Sequence, residues 1–143
     1  MTRSFSLTGL LRVRSAQERE AAARLSRAAV EASQTEARDR HLRAALGSAG
    51  DGDSSTLDGR SLAALAASRA AARTMLADVA ALADLQREAV HTARAAHDAS
   101  RREVRGLEKL AQAHARRVRA DELRAEQLEL DEIAARIRPE QDS

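Results

Sequence analysis

Residues 47–59, GSAGDGDSSTLDG, separate two long helical patterns in this chain. The segment holds four of the six glycines, together with serines and aspartates that bond nearby backbone amides and favour turns. Gly47 directly follows Leu46, where a left-handed glycine commonly ends a helix. The residues able to cap the next helix are Asp51, Asp53, Ser54, Ser55, Asp58 and Ser61. The segment therefore predicts a turn between two helices, with its capping residue left open.

Strong helix formers fill the chain on both sides of this turn. Alanine, leucine, arginine and glutamate dominate the composition. The single aromatic residue cannot fill a thick core. A narrow seam between two helices, in contrast, needs no aromatic residues. The pattern predicts one helix over about residues 5–46 and a second over about 61–137, which Pro139 ends. The expected fold is all-α: a long antiparallel two-helix coiled-coil hairpin whose second helix is the longer. We expect one domain over residues 1–143, with a tail at 138–143.

Each predicted helix carries a seam with alternating spacings of four and three residues, which is typical of a left-handed coiled coil. In the first helix the seam is Leu7, Leu11, Arg14, Glu18, Ala21, Leu25, Ala28, Ala32, Thr35, Asp39, Leu42 and Leu46. In the second it is Leu76, Val79, Ala83, Gln86, Val90, Ala93, His97, Ser100, Val104, Leu107, Ala111, His114 and Val118. Because many of these side chains are small or polar, we expect a hairpin of marginal stability.

The unequal helix lengths predict an overhang. At 1.5 Å per residue the helices measure about 60 and 115 Å, so folding at the turn pairs residues 5–46 with roughly 60–101. Residues 102–137 then have no partner in the chain, although they are rich in large apolar side chains. An uncovered amphipathic helix is a binding element. The alternative is that the overhang folds back or pairs in a homodimer.

The overhang is also polarised in charge. Residues 101–124 hold eight basic and four acidic side chains, a net charge of +4. From Glu126 to the end, six acidic side chains outnumber two arginines, a net charge of −4. Such an end can set the orientation and association rate of a partner with complementary charge.

The residues do not suggest catalysis, a cofactor or a metal. A two-helix rod has no interior in which to build a pocket. The chain has no cysteine, and no two of its four histidines lie three or four apart on one helix face, so helical metal pairs are not expected. His97 and His114 lie on the seam, where we interpret them as polar residues that set the register. A calcium loop at DGDSSTLDG would need a glutamate at its twelfth position, which is missing.

Nucleic-acid and membrane binding are also disfavoured. The arginines of residues 101–124 are interleaved with acids, and that stretch has no aromatic residue for stacking on bases. No stretch approaches the ~20 apolar residues of a membrane span. We therefore expect a cytoplasmic protein that binds other proteins.

Both ends of the chain resemble a known family. Residues 5–25, FSLTGLLRVRSAQEREAAARL, resemble the start of FliJ proteins of the flagellar type III export apparatus. Residues 125–137, AEQLELDEIAARI, resemble that family's ending, with the run Leu130, Asp131, Glu132, Ile133 and Ala134 followed by Arg136. The position of the turn, one third along the chain, agrees with this likeness.

The resemblance implies a coiled coil similar to the part of the rotary ATPase γ subunit that enters the catalytic ring. It implies a non-enzymatic adaptor that binds the flagellar export ATPase, promotes assembly of its hexamer and links it to the cytoplasmic domain of the export gate, with substrate chaperones as further partners. The protein would then serve flagellum biogenesis, motility and chemotaxis from the cytoplasmic face of the inner membrane, held there only by its partners.

The resemblance also implies contact residues. For the ATPase they are Leu11, Arg12, Arg14, Glu18, Leu128, Asp131, Glu132 and Arg136. For the export gate they are Ala72, Met75 and Val79. The alternative function is a generic structural or scaffolding coiled-coil homodimer.

Overall fold

The protein is a hairpin of two long antiparallel helices. The computed structural model describes residues 2–50 and 54–137, and the predicted tail at 138–143 lies outside them. Helix α1 is Thr2–Ala49, a short 3₁₀ helix follows at Ser54–Thr56, and helix α2 is Gly59–Ile137. The described residues contain no strand. The predicted fold class, including the longer second helix, is confirmed.

Helix α1 ends differently from the prediction. Gly47 is helical and no described glycine has a left-handed backbone, so the predicted left-handed cap at Gly47 is wrong. The helix instead continues to Ala49, and the N–H of Gly50 donates a hydrogen bond to the Gly47 carbonyl at 3.2 Å. This hydrogen bond joins residues three apart, instead of the four of an α-helix. It tightens the last turn and satisfies a carbonyl that would otherwise lack a partner within the helix.

Asp58 is the residue that caps helix α2. Its Oδ1 accepts a hydrogen bond from the backbone N–H of Ser61 at 2.8 Å, the geometry of an N-cap. Hydrogen bonding by Ser61, through its side chain and its backbone, stabilises the carboxylate and lowers the pKa of Asp58. Two other predicted candidates, Asp51 and Asp53, lie outside the described residues.

Contacts within the chain group it into two compact units, and both helices contribute to each. One unit is residues 17–100, which contains the turn. The other comprises residues 1–16 and 101–143.

The unit of residues 17–100 is a thin helix pair whose core is the predicted seam. Thr35 and Ala83, at 4% and 5% exposure, are the two buried residues among those whose side chains are described. Every other predicted seam residue in this unit is half-buried, and the same spacing continues toward the turn at Leu65, Arg69 and Ala72. The predicted seam is therefore confirmed here.

In the unit formed by residues 1–16 and 101–143, the seam is covered over only part of its length. Leu7, Leu11 and Arg14 are half-buried on α1, as are Val104, Leu107 and Ala111 on α2. His114 and Val118, the last two predicted seam positions, are exposed. Beyond Ala111, every residue through Ile137 is exposed.

The predicted register is wrong by about ten residues. Pairing residues 5–46 with 60–101 would place Arg14 near residue 92, but Arg14 lies beside Glu103. The reason is the connection between the helices. Arg69 donates a hydrogen bond to the carbonyl of Ala49 at 2.8 Å, so the end of α1 meets α2 ten residues after α2 begins. The uncovered part of α2 therefore begins at about residue 112 instead of residue 102.

Candidate partner-binding surfaces

The four ATPase-contact residues predicted near the amino terminus lie mostly on the helix seam. Leu11 is half-buried there, and Arg14 donates a hydrogen bond from Nη1 to Glu103 Oε2 at 2.9 Å. In the unit of residues 17–100, Glu18 Oε1 lies 2.8 Å from His97 Nε2, and both side chains are largely covered. Three of these four residues therefore join the two helices, whereas Arg12 is exposed.

The other four predicted ATPase-contact residues lie on the uncovered part of α2, residues 112–137, which we call the terminal segment. Leu128 is 70% exposed, so its apolar side chain is open to a partner. Asp131 accepts a hydrogen bond from the Gln127 amide at 2.9 Å, and Glu132 is paired with Arg136. These bonds join residues four apart on one helix and stabilise the helix without covering it.

The structure does not bring the two predicted groups together. Glu103, the partner of Arg14, precedes Asp131 by 28 residues of continuous helix, a separation of about 42 Å along the axis. A partner that touched both groups would have to extend along α2. The terminal segment is therefore a candidate binding surface separate from the residues near the amino terminus.

Two of the three predicted gate-contact residues border a groove on the side of the hairpin. Met75 is 55% exposed and Val79 is half-buried, and both line a groove of about 820 Å³. Ala72 lies on the seam and is not among the residues lining the groove. The wall from α1 consists of Gln34, Ala37, Arg38, His41 and Leu42. We call this feature the lateral groove.

Sequence reasoning missed the α1 wall of the lateral groove. Gln34, Arg38 and His41 follow one another at spacings of four and three, immediately beside the seam positions Thr35 and Leu42. That spacing predicts that the three residues share one face of α1. It does not predict which residues of α2 lie opposite them, because that depends on the register of the two helices.

The described residues include no group of three or more histidine, cysteine, aspartate or glutamate side chains placed to hold a metal ion. Across residues 2–50 and 54–137, no helix combines the length and the apolar character needed to cross a membrane.

Over the described residues, the fold places the protein in the class of two-helix coiled coils, with an uncovered terminal segment on α2 and a lateral groove. Among models of known families, the one described as "Flagellar FliJ protein" matches residues 3–139. The chain therefore belongs to the flagellar FliJ family, a family of structural components of flagellar export. Neither the curated proteins nor the solved structures contain a match to it.

Proposed function

We propose that this protein acts as an adaptor that binds the export ATPase, promotes assembly of the ATPase hexamer and links it to the cytoplasmic domain of the export gate. This function lies within the role in flagellar export and flagellum biogenesis that family membership gives it. The observation that supports this proposal is the family match, which spans both helices and includes the terminal segment.

The terminal segment is the proposed contact for the ATPase. A single helix is about 10–12 Å wide with its side chains, so it can enter an opening that is too narrow for a helix pair. Its exposed Leu128 supplies apolar area, and the flanking Asp131, Glu132 and Arg136 supply charges that orient it. Arg12, exposed on α1, is the fourth charged contact.

The lateral groove is the proposed contact for the export gate. Met75, Val79 and Leu42 give it apolar surface, and Arg38 and His41 add polar side chains to its lining. An apolar centre with a polar rim is the usual composition of a protein interface. Met75 is the expected anchor, because a flexible thioether adapts to a partner's surface. Location at the inner membrane then follows from the partners, and substrate chaperones are further proposed ligands.

A truncation tests the ATPase contact. The variant ending at Ala111 loses only residues that lie outside the helix pair or outside the described part of the chain, so it should keep the hairpin. We expect it to lose binding to the purified flagellar export ATPase and to stop promoting hexamers in sedimentation velocity.

The matched control is Met75→Ser in the full chain, which alters the lateral groove and should bind the ATPase normally. Binding of the truncated chain at full strength would overturn the proposed contact. Failure of the full chain to bind the ATPase, together with a dimer in light scattering, would favour the structural homodimer instead.

A further inference from the structure

The terminal segment carries an apolar stripe that the proposed ATPase contact does not use. Leu123, Leu130, Ile133 and Ile137 are between 52% and 72% exposed. They are seven, three and four residues apart. At about 100° per residue they lie within an arc of roughly 80° on the helix. We call these four residues the terminal stripe.

The terminal stripe is not a continuation of the seam. On α2 the covered seam is Val104, Leu107 and Ala111, and its spacing continues through Val118 to polar or small residues and to Leu128. Leu123 is five residues past Val118, which rotates it to another side of the helix. Counted at about 100° per residue, Leu128 is roughly opposite the centre of the stripe. The stripe is therefore a second face, separate from the seam and from the proposed ATPase contact.

The spacing of the stripe identifies its occupant as a helix. Apolar residues seven, three and four apart form the holes that receive side chains of a partner helix in a coiled coil. A flat surface would not require this periodicity. The stripe is thus suited to one amphipathic helix lying along residues 123–137.

The charge of the terminal segment indicates the charge of the partner helix. Over residues 123–137 there are four acidic side chains and two arginines, a net charge of −2. At about 100° per residue, Glu126 lies within the arc of the stripe and Glu129 lies roughly 40° beyond its edge. Basic residues beside a partner's apolar positions would be complementary to both.

A second copy of this chain fits poorly. Aligning two stripes so that their apolar residues meet places the two acidic stretches side by side, and like charges so placed are repulsive. Two copies can also be aligned antiparallel so that Arg116 and Arg119 of one copy face Glu129 and Glu126 of the other. In that alignment Ile133 of one copy lies opposite Gln112 of the other, so the apolar residue faces a polar one. Neither of these two alignments satisfies both the apolar and the charged positions.

We propose that the terminal stripe docks a basic amphipathic helix of another protein. This interface is distinct from the ATPase contact at Leu128 and does not depend on it.

Two synthetic helical peptides test the proposal with the full chain. Both carry the same leucine heptads, but one has lysine and arginine beside them and the other has glutamate. We expect fluorescence anisotropy to show at least about tenfold tighter binding of the basic peptide. The double variant Leu130→Gln, Ile133→Gln should weaken that binding by at least about tenfold, and the control Leu128→Gln should leave it unchanged.

A charge reversal provides a second test in case the double variant loses helix by circular dichroism. In the variant Glu126→Arg, Glu129→Arg the acidic peptide should bind more tightly than the basic one. Equal affinity of the two peptides for the native chain, or equal weakening by Leu128→Gln, would overturn the proposal. So would a dimer of the native chain in light scattering that Leu130→Gln, Ile133→Gln abolishes, because the stripe would then bind a second copy.

Discussion

At the scale of single residues, the seam of this hairpin is unusual for its polar members. Glu18 Oε1 and His97 Nε2 lie within hydrogen-bonding distance of each other inside the helix pair. Asp39 Oδ1 and Gln86 Oε1 are also buried, but neither atom has a hydrogen-bond partner among the described residues. A buried polar atom without a partner costs about 1–3 kcal/mol of stability. These two residues are therefore weak points of the seam.

Gln86→Leu should stabilise the hairpin. The change removes the buried amide oxygen and adds apolar area at a seam position, so we expect the free energy of unfolding to rise by about 1 kcal/mol. Urea denaturation followed by circular dichroism measures it. Gln112→Leu is the matched control, because Gln112 is exposed on the terminal segment and should leave the midpoint unchanged. A lower midpoint for Gln86→Leu would contradict this account of the seam.

At the scale of elements, the stability of α2 comes from different contacts along its length. Its covered part shares a seam with α1, whereas the terminal segment is exposed at every residue. Pairs such as Asp121–Arg124 and Glu132–Arg136 support the helix in the terminal segment. Such exposed pairs contribute only about 0.2–0.5 kcal/mol each, so a partner's surface would add most of the stability of this segment.

The start of α2 should respond to pH through Asp58. Its pKa is lowered in the folded state, so the ionised cap stabilises the helix above the unfolded pKa of about 3.8 and this contribution is lost as pH falls through the folded value. We expect Asp58→Ala to melt at a lower temperature than the native chain at pH 7, with a smaller difference at pH 3.

Asp58→Asn is the control for this cap, because asparagine can accept the same hydrogen bond without titrating. The melting temperature of Asp58→Asn should remain above that of Asp58→Ala at pH 3. Thermal melts followed by circular dichroism supply the comparison. A gap between the native chain and Asp58→Ala that does not change with pH would show that the charge of Asp58 is not involved.

At the scale of the whole molecule, the two proposed binding surfaces belong to different units: the lateral groove lies in the unit of residues 17–100, and the terminal segment belongs to the unit of residues 1–16 and 101–143. Because the two surfaces share no residue, the proposed partners should be separable by mutation. An adaptor that links an ATPase to a gate needs this separation.

Met75→Asp should weaken the gate contact alone. A carboxylate among the apolar side chains that line the lateral groove would be buried by a partner without compensation, so binding of the purified cytoplasmic domain of the export gate should weaken at least about tenfold. Binding of the ATPase should not change. Leu85→Asp is the matched control, because Leu85 is 69% exposed and does not line the groove. Isothermal titration of each partner gives the measurement, and equal losses for the two variants would count against the groove.

The sequence by itself determined the local features of this protein. Heptad spacing identified the buried face of each helix, from Leu7 to Leu46 on α1 and from Leu76 to Ala111 on α2. The glycine-rich segment identified the turn. These inferences succeed because the side-chain period of a helix is fixed by the backbone and needs no knowledge of the partner helix.

The tertiary structure decided the register, and everything that depends on it. Alanine-rich seams bury nearly the same small area when one helix slides past the other, so spacing alone does not distinguish the alignments. Contacts between residues far apart in the chain, such as Arg69 with Ala49 and Arg14 with Glu103, fix the observed one. That register sets Met75 across from the α1 wall of the lateral groove and leaves α2 uncovered from about residue 112.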